Sequence, residues 1–159
     1  MVESVETARE LTIEILRRMG AETEVDGHLE EETVVIEIRG DREGILIGKH
    51  GRTLDSLQVL ISRMVNKRFE SPIKVVLDVD SYRKKREDAL TKMALRMGEK
   101  AKRTGQGQTI GPLNAWERRV IHMALKEDPA VTTESLGEGR IKRLSILPKK
   151  RAGERSAPW

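Results

Sequence analysis

Apolar positions along the chain first fall into a helical rhythm. Val5, Ala8, Leu11, Ile15 and Met19 lie three or four residues apart on one helix face, with Gly20 as the stop. Residues 22–28 are polar and weakly strand-like. Residues 33–38 alternate clearly, Val34, Ile36 and Ile38 to one side and Glu37 to the other, before a turn at Gly40-Asp41. Gly44-Ile45-Leu46-Ile47 is expected to form a short helical piece leading into Gly48-Lys49-His50-Gly51. Leu54, Leu57, Ile61 and Met64 then return to helical spacing as far as Phe69. Pro72 ends that helix, because proline lacks the donor that continuation needs and restricts Ser71 before it. Ile73, Val75, Leu77 and Val79 alternate as a strand. The order is α-β-β-α-α-β, with the two-glycine loop between the last two helices.

A second long helix is expected from Tyr82 to Arg103, with Ala89, Met93, Met97 and Ala101 inward, broken by Gly105-Gln106-Gly107. An extended piece around Thr109-Ile110 precedes Gly111-Pro112. Asn114 is a good N-cap for a helix to Lys126, whose buried side would be Leu113, Trp116, Val120 and Met123. Strands near 130–135 and 140–147 flank Gly137-Glu138-Gly139. No internal repeat is evident. The pattern predicts two compact units joined near Ser81, residues 1–80 and 81–148, followed by a frayed basic tail over 149–159 that contains Lys149-Lys150-Arg151.

Composition narrows the function. With 159 residues and 35% charged side chains, the chain is expected to be soluble. No apolar run is long enough to insert into a membrane, and Glu3, Glu6, Arg9, Glu10, Glu14, Arg17 and Arg18 exclude a secretory leader in the first twenty residues. The lack of cysteine removes disulfides, thiolate zinc sites and a cysteine nucleophile, and fits a cytoplasmic protein. The net charge of +4 conceals an asymmetry: residues 1–43 hold 5 basic and 13 acidic side chains, net −8, and residues 44–159 hold 25 and 13, net +12. A basic flank of this kind suits a polyanion such as nucleic acid, although a solvated mixed-charge surface reads the same way. Phe69, Tyr82, Trp116 and Trp159 are the only aromatics, too scattered for the stacking platform of RNA-recognition sheets and OB-folds. Any nucleic-acid contact therefore rests on backbone, cations and an aliphatic groove.

Enzymatic patterns fail on spacing. Gly44 to His50 is one residue short of a P-loop and carries His50 where the magnesium-binding Ser or Thr belongs. Gly105, Gly107 and Gly111 miss the dinucleotide fingerprint. His28, His50 and His122 are far apart without an HExxH, and no catalytic triad can be assigned, so neither a catalytic site nor a metal or other cofactor is expected. Gly48-Lys49-His50-Gly51 is different. Two glycines three apart allow a backbone to approach a phosphodiester, the helix that follows offers amides and a positive dipole end, and Lys49, His50 and Arg52 add charge and donors. Ile45, Ile47 and Leu54 could form an aliphatic wall for bases. An isolated GxxG is more often a plain helix–helix turn. Arg118 and His122, four apart on one helix face, could likewise address one anion together. An isolated pair of this spacing is more often an ion-paired arginine and a backbone-satisfied histidine.

Context favours the functional readings. The glycine loop inside its α-β-β-α-α-β order, with Gly44 to Met64 reading GILIGKHGRTLDSLQVLISRM, resembles a type II KH domain, whose loop holds about four single-stranded nucleotides. Asn114 to His122, with Val131–Ser135 and Arg143–Ile146 downstream, resembles the R-three-H domain, which is named for that arginine and histidine and associated with single-stranded nucleic acid. The tandem resembles the bacterial Jag, or SpoIIIJ-associated, family over residues 3–148. The resemblance implies an α+β fold, a type II KH domain followed by a small α/β R-three-H domain. It implies a non-enzymatic protein that binds single-stranded RNA, or single-stranded DNA, through Gly48, Lys49, His50, Gly51, Arg52, Arg118 and His122. It also implies post-transcriptional regulation or RNA chaperoning that affects cell shape and envelope growth. The alternative is a scaffold whose KH unit mainly pairs with a small single-KH-domain protein or with itself. Many family members carry an N-terminal Jag-N domain and linker, whereas this sequence starts at the first KH helix, so roles resting on that domain are not expected of it.

Overall fold

The computed structural model describes residues 2–149, which divide into two compact units after Arg83. In the first, α1 (Val2–Arg18), β1 (Glu24–Glu30), β2 (Thr33–Arg39), α2 (Arg52–Phe69) and β3 (Lys74–Val79) build one three-stranded sheet with two helices. Strand order is β1-β2-β3; β1 runs antiparallel to β2, and β3 parallel to it, across the connection that carries α2. The alternation read in the sequence sets the core. Val34, Ile36, Ile38, Val75, Leu77 and Val79 point inward against Leu54, Leu57, Ile61 and Val65 of α2.

Two details depart from the sequence pattern. The inward stripe of α1 is Ser4, Thr7, Ala8, Thr12 and Leu16, with Val5, Leu11 and Ile15 at its margins and Met19 exposed. Small side chains let α1 approach the sheet where Gly27 lies: a Cβ there would stand 3.0 Å from Val5 Cγ1 and 3.1 Å from Ile36 Cδ1. The buried Thr12 hydroxyl donates to the Ala8 carbonyl at 2.7 Å, so its polarity costs little. The second departure is Gly44–Ile47. It is no helix but a single turn closed by Gly48 N–H to Gly44 O at 3.1 Å, so the order is α-β-β-α-β, with a 3-10 turn (Lys49–Gly51) before α2.

In the second unit, α3 (Tyr82–Thr104, from Lys84 on), β4 (Gln108–Leu113), α4 (Ala115–Leu125), β5 (Val131–Leu136) and β6 (Lys142–Pro148) share a core, and the antiparallel sheet has order β4-β6-β5. Ala101 and Leu113 are buried as expected, but the rest of each buried stripe is turned from the expected face. In α3, Leu90, Ala94, Gly98 and Ala101 are buried, because the small pair at 94 and 98 admits α4: a Cβ on Gly98 would meet Leu125 Cδ2 at 3.0 Å. In α4, Glu117, Ile121 and Leu125 face inward, while Trp116 and Met123 are exposed. The cause is Glu117. Its Oε2 accepts the Asn114 N–H at 2.8 Å, Asn114 Oδ1 accepts the Glu117 N–H at 2.8 Å, and Arg86 reaches Glu117 Oε1 through Nε at 2.8 Å and Nη2 at 2.7 Å. A carboxylate satisfied in this way occupies the stripe that the sequence pattern reserves for apolar residues. The tail expected over 149–159 lies outside the described residues apart from Lys149, whose N–H donates to Ala130 O at 2.8 Å. Among the described residues no helix is long and apolar enough to cross a membrane.

Lys102 joins α3 to the loop after α4, its Nζ lying 2.8 Å from Asp128 Oδ2 and 2.5 Å from Glu99 Oε1. The Asp128 carboxyl is held below the usual carboxylate range, first by the Lys102 hydrogen bond and then by the Ala130 N–H. Lys102 is raised, first by Asp128 and then by Glu99. Asp128 therefore contributes its full stabilisation above about pH 4 and loses it as pH falls through the depressed folded value. Lys102 contributes fully below about pH 10 and loses it as pH rises through its raised value. Asp128→Asn is expected to lower the melting temperature at pH 7, with the gap to wild type closing as both are scanned below pH 4. A gap that stays constant down to pH 2 would contradict the pairing.

Candidate nucleic-acid interface

The glycine loop is built from behind by two aspartates. Asp80, just past β3, donates its N–H to Ile38 O at 2.9 Å and accepts the Gly40 and Asp41 N–H groups, one on each carboxylate oxygen, at 3.1 and 3.0 Å. Asp41 in turn accepts the Ile45 and Leu46 N–H groups, again one per oxygen, both at 3.0 Å. Leu46 is buried in the core, and the Ile47 carbonyl accepts the Thr53 and Leu54 N–H groups at 3.1 and 3.3 Å. The path from the end of β2 to the start of α2 is thus anchored at each step. Gly48 has φ 69 and ψ −175, a region open only to glycine, and a Cβ there would overlap Thr53 Oγ1. Gly51 is left-handed (φ 76) and lies against Tyr82, whose Cε1 would be 3.0 Å from an added Cβ. His50 is left-handed as well (φ 56), a conformation histidine adopts more readily than most residues.

This geometry revises two expectations. The first amides of α2 are not open to a phosphate: Gly51 N–H goes to Gly48 O, Arg52 N–H to Lys49 O, and Thr53 and Leu54 N–H to Ile47 O. The dipole end remains, but the loop's attraction for an anion rests on the exposed Lys49 and Arg52 and on the half-buried His50. The aliphatic wall is also smaller than expected. Leu54 is 0% exposed and belongs to the core, leaving Ile45, 53% exposed, and the half-buried Ile47. Asp41, Asp80, Thr53 and Tyr82 were not singled out as site residues. Only Asp41 carries a sequence signal, an Asx residue beside a turn glycine, while the Asp80 contact spans some 40 residues.

In the second unit, Arg118 and His122 do share a side of α4, and the β5–β6 hairpin faces them. Arg118 Nη1 donates to the carbonyls of Leu113 at 2.9 Å and Arg140 at 3.2 Å, tying the helix start to the hairpin end. His122 Nδ1 lies 2.8 Å from Thr133 Oγ1, and its ring is exposed. Both side chains are partly engaged within the unit: Arg118, half-buried, holds two carbonyls and so has a structural part, while His122 is exposed beside Thr133. Thr133, on the expected closing strand, is the neighbour that sequence reasoning did not single out. No group of three or more His, Asp or Glu among the described residues could hold a metal ion.

A glycine loop seated between β2 and α2 of one small α/β sheet, followed by a β-α-β-β unit with an arginine and histidine on its helix, defines a tandem of KH and R-three-H domains. Residues 6–79 match the KH domain of the KhpA/KhpB type, and residues 88–148 match the R-three-H domain. The chain is 38% identical over 151 residues to the RNA-binding protein KhpB of Clostridium symbiosum, covering 91% of this chain and 68% of that protein. It is 31% identical over 136 residues to the protein of the same name from Lactiplantibacillus plantarum (86% of this chain, 42% of the other). It is 26% identical over 151 residues to that of Bacillus subtilis (94% and 73%). The chain belongs to the KhpB family, as the paired motifs implied.

Proposed function

We propose that this chain binds single-stranded RNA without catalysing a reaction, as a cytoplasmic post-transcriptional regulator or RNA chaperone. Domains at about 1–80 and 81–148 each contribute contacts. The observation that carries this reading is the glycine loop: Gly48 has no room for a side chain, Gly51 is left-handed and tightly packed, and the turn they make carries the exposed Lys49 and Arg52 cations. The names of the relatives, RNA-binding proteins, agree with it. Gly48, Lys49, His50, Gly51 and Arg52 form the first contact. His122, with Arg118 beside it, forms the second, in a unit that carries 15 basic and 8 acidic residues over 84–149, net +7.

The second contact is tested by two variants that should behave differently. His122→Ala is expected to weaken binding of a single-stranded RNA by roughly 2- to 10-fold, the worth of one hydrogen bond, with little change in melting temperature. Arg118→Ala should weaken binding and also lower the melting temperature by several degrees, because the Leu113 and Arg140 carbonyls lose their donor. A folded His122→Ala protein with unchanged affinity would remove the second unit's contact from this reading. Ultraviolet crosslinking that recovers a protein partner but no RNA would favour a scaffold instead.

A further inference from the structure

Trp116 does not belong to the core, and its surroundings suit a flat ring. It is 39% exposed on α4 and, with Val120 and Met123 (52% exposed), forms the apolar wall of a groove of about 390 Å³ between α4 and α3. Arg119, one turn along the same face, stands at the rim and is exposed; Glu87 and Thr91 of α3 line the opposite side. We propose that this groove is a nucleobase-stacking site: one base of a bound RNA strand lies on the Trp116 indole, with its phosphate at Arg119 and its edge toward Glu87 and Thr91. The proposal rests on the RNA-binding reading above and adds to it a site that neither the glycine loop nor the Arg118–His122 pair includes. Trp116 is two residues from Arg118, about 200° around the helix, so the two contacts lie on different sides of α4.

The chemistry of the lining selects the occupant. An indole face holds an aromatic ring by stacking, a thioether packs beside it, and a guanidinium nearby neutralises the phosphate of the same nucleotide. Glu87 works in the other direction. A carboxylate repels phosphate but accepts from the exocyclic amines of adenine, cytosine and guanine, so the base rather than the backbone is turned toward α3. Thr91 can donate or accept at the same edge. A folded protein partner fits poorly: stable protein interfaces take roughly 20–30 residues from each side, and this groove is lined by a few side chains. The positive charge of the unit, net +7 over 84–149, draws in a polyanion as well.

Tryptophan fluorescence provides the test. Trp116 and Trp159 are the only tryptophans, so a Trp159→Phe chain reports Trp116 alone. The chain is titrated with a short labelled single-stranded RNA of mixed sequence and with an abasic strand of the same length, binding being followed by anisotropy of the label. The expected result is that Trp116 emission falls along the same curve as RNA binding and is unaffected by the abasic strand. In the natural background, Trp116→Ala should weaken RNA binding roughly tenfold, the scale of one lost base–aromatic stack, Trp116→Phe should retain most of the affinity, and neither should alter binding of the abasic strand. RNA binding by anisotropy with unchanged Trp116 emission would overturn the stacking site and leave the RNA-binding reading standing. Absence of RNA binding altogether would overturn both.

Discussion

Replacing Arg86 by Ala is expected to destabilise the second unit by about 2–3 kcal/mol. The reason is Glu117, 0% exposed, whose Oε1 is met by Arg86 Nε and Nη2. Without the guanidinium, a carboxylate stays in the core with no cation on Oε1, although the Asn114 N–H remains on Oε2. The loss is set below the 3–5 kcal/mol of a fully enclosed pair because the Arg86 side is partly open to water. In a unit of this size that corresponds to a fall in melting temperature of roughly 10 °C or more. Glu117→Gln should be milder: it removes the charge that needs a partner and keeps an acceptor for the cap. Circular dichroism melts that rank wild type above Glu117→Gln and Glu117→Gln above Arg86→Ala would support this account. An unshifted Arg86→Ala melt would contradict it.

The largest effect on binding is expected from reversing charge in the glycine loop. Lys49→Asp combined with His50→Asp should weaken single-stranded RNA binding by at least about tenfold, since it removes a charge-assisted contact and sets two carboxylates against the phosphates. The fold should survive. Lys49 is exposed, and the left-handed backbone at 50 (φ 56) accepts aspartate more readily than most residues. Substituting the glycines is a less direct test. A Cβ on Gly48 would overlap the Thr53 side chain and stand 3.1 Å from its backbone nitrogen, so Gly48→Ala displaces the loop and the start of α2 together. Loss of binding in that variant would not separate contact from structure.

Elements whose burial is set by plain alternation were legible in the sequence. The inward faces of β2 and β3 and most of α2 follow from apolar residues at fixed spacing, because nothing else competes for those positions. The faces of α1, α3 and α4 were legible only in part, Ala8, Ala101 and Leu113 being buried as expected, and the departures share a reason. Their buried stripes contain Ser4, Thr7, Thr12, Gly98 and Glu117, residues that a hydrophobicity pattern assigns to solvent. Small groups face inward where helices approach closely, and Glu117 does so because Asn114 and Arg86 satisfy it. The Asn114-x-x-Glu117 spacing is a capping-box signal that could have located the carboxylate, but nothing local points to Arg86, 31 residues away. The candidate site shows the same division. Gly48, Lys49, Gly51 and Arg52 stand out as a motif, whereas the Asp80–Asp41 relay behind them depends on the sheet that brings positions 40 and 80 together. Misplacing Trp116 in the core also hid the groove beside it.

A salt titration tests whether the glycine loop holds single-stranded RNA by its phosphates. Affinity of the intact chain for a short single-stranded RNA is measured against rising salt, for wild type and for the Lys49→Asp, His50→Asp variant. Single-stranded complexes lose affinity with a log–log slope of about −0.7 for each phosphate neutralised. A slope of about −2 or steeper is expected for wild type, from about three phosphates, and a distinctly shallower one for the variant, with weaker binding throughout. Equal slopes and equal affinities in two folded proteins would contradict it.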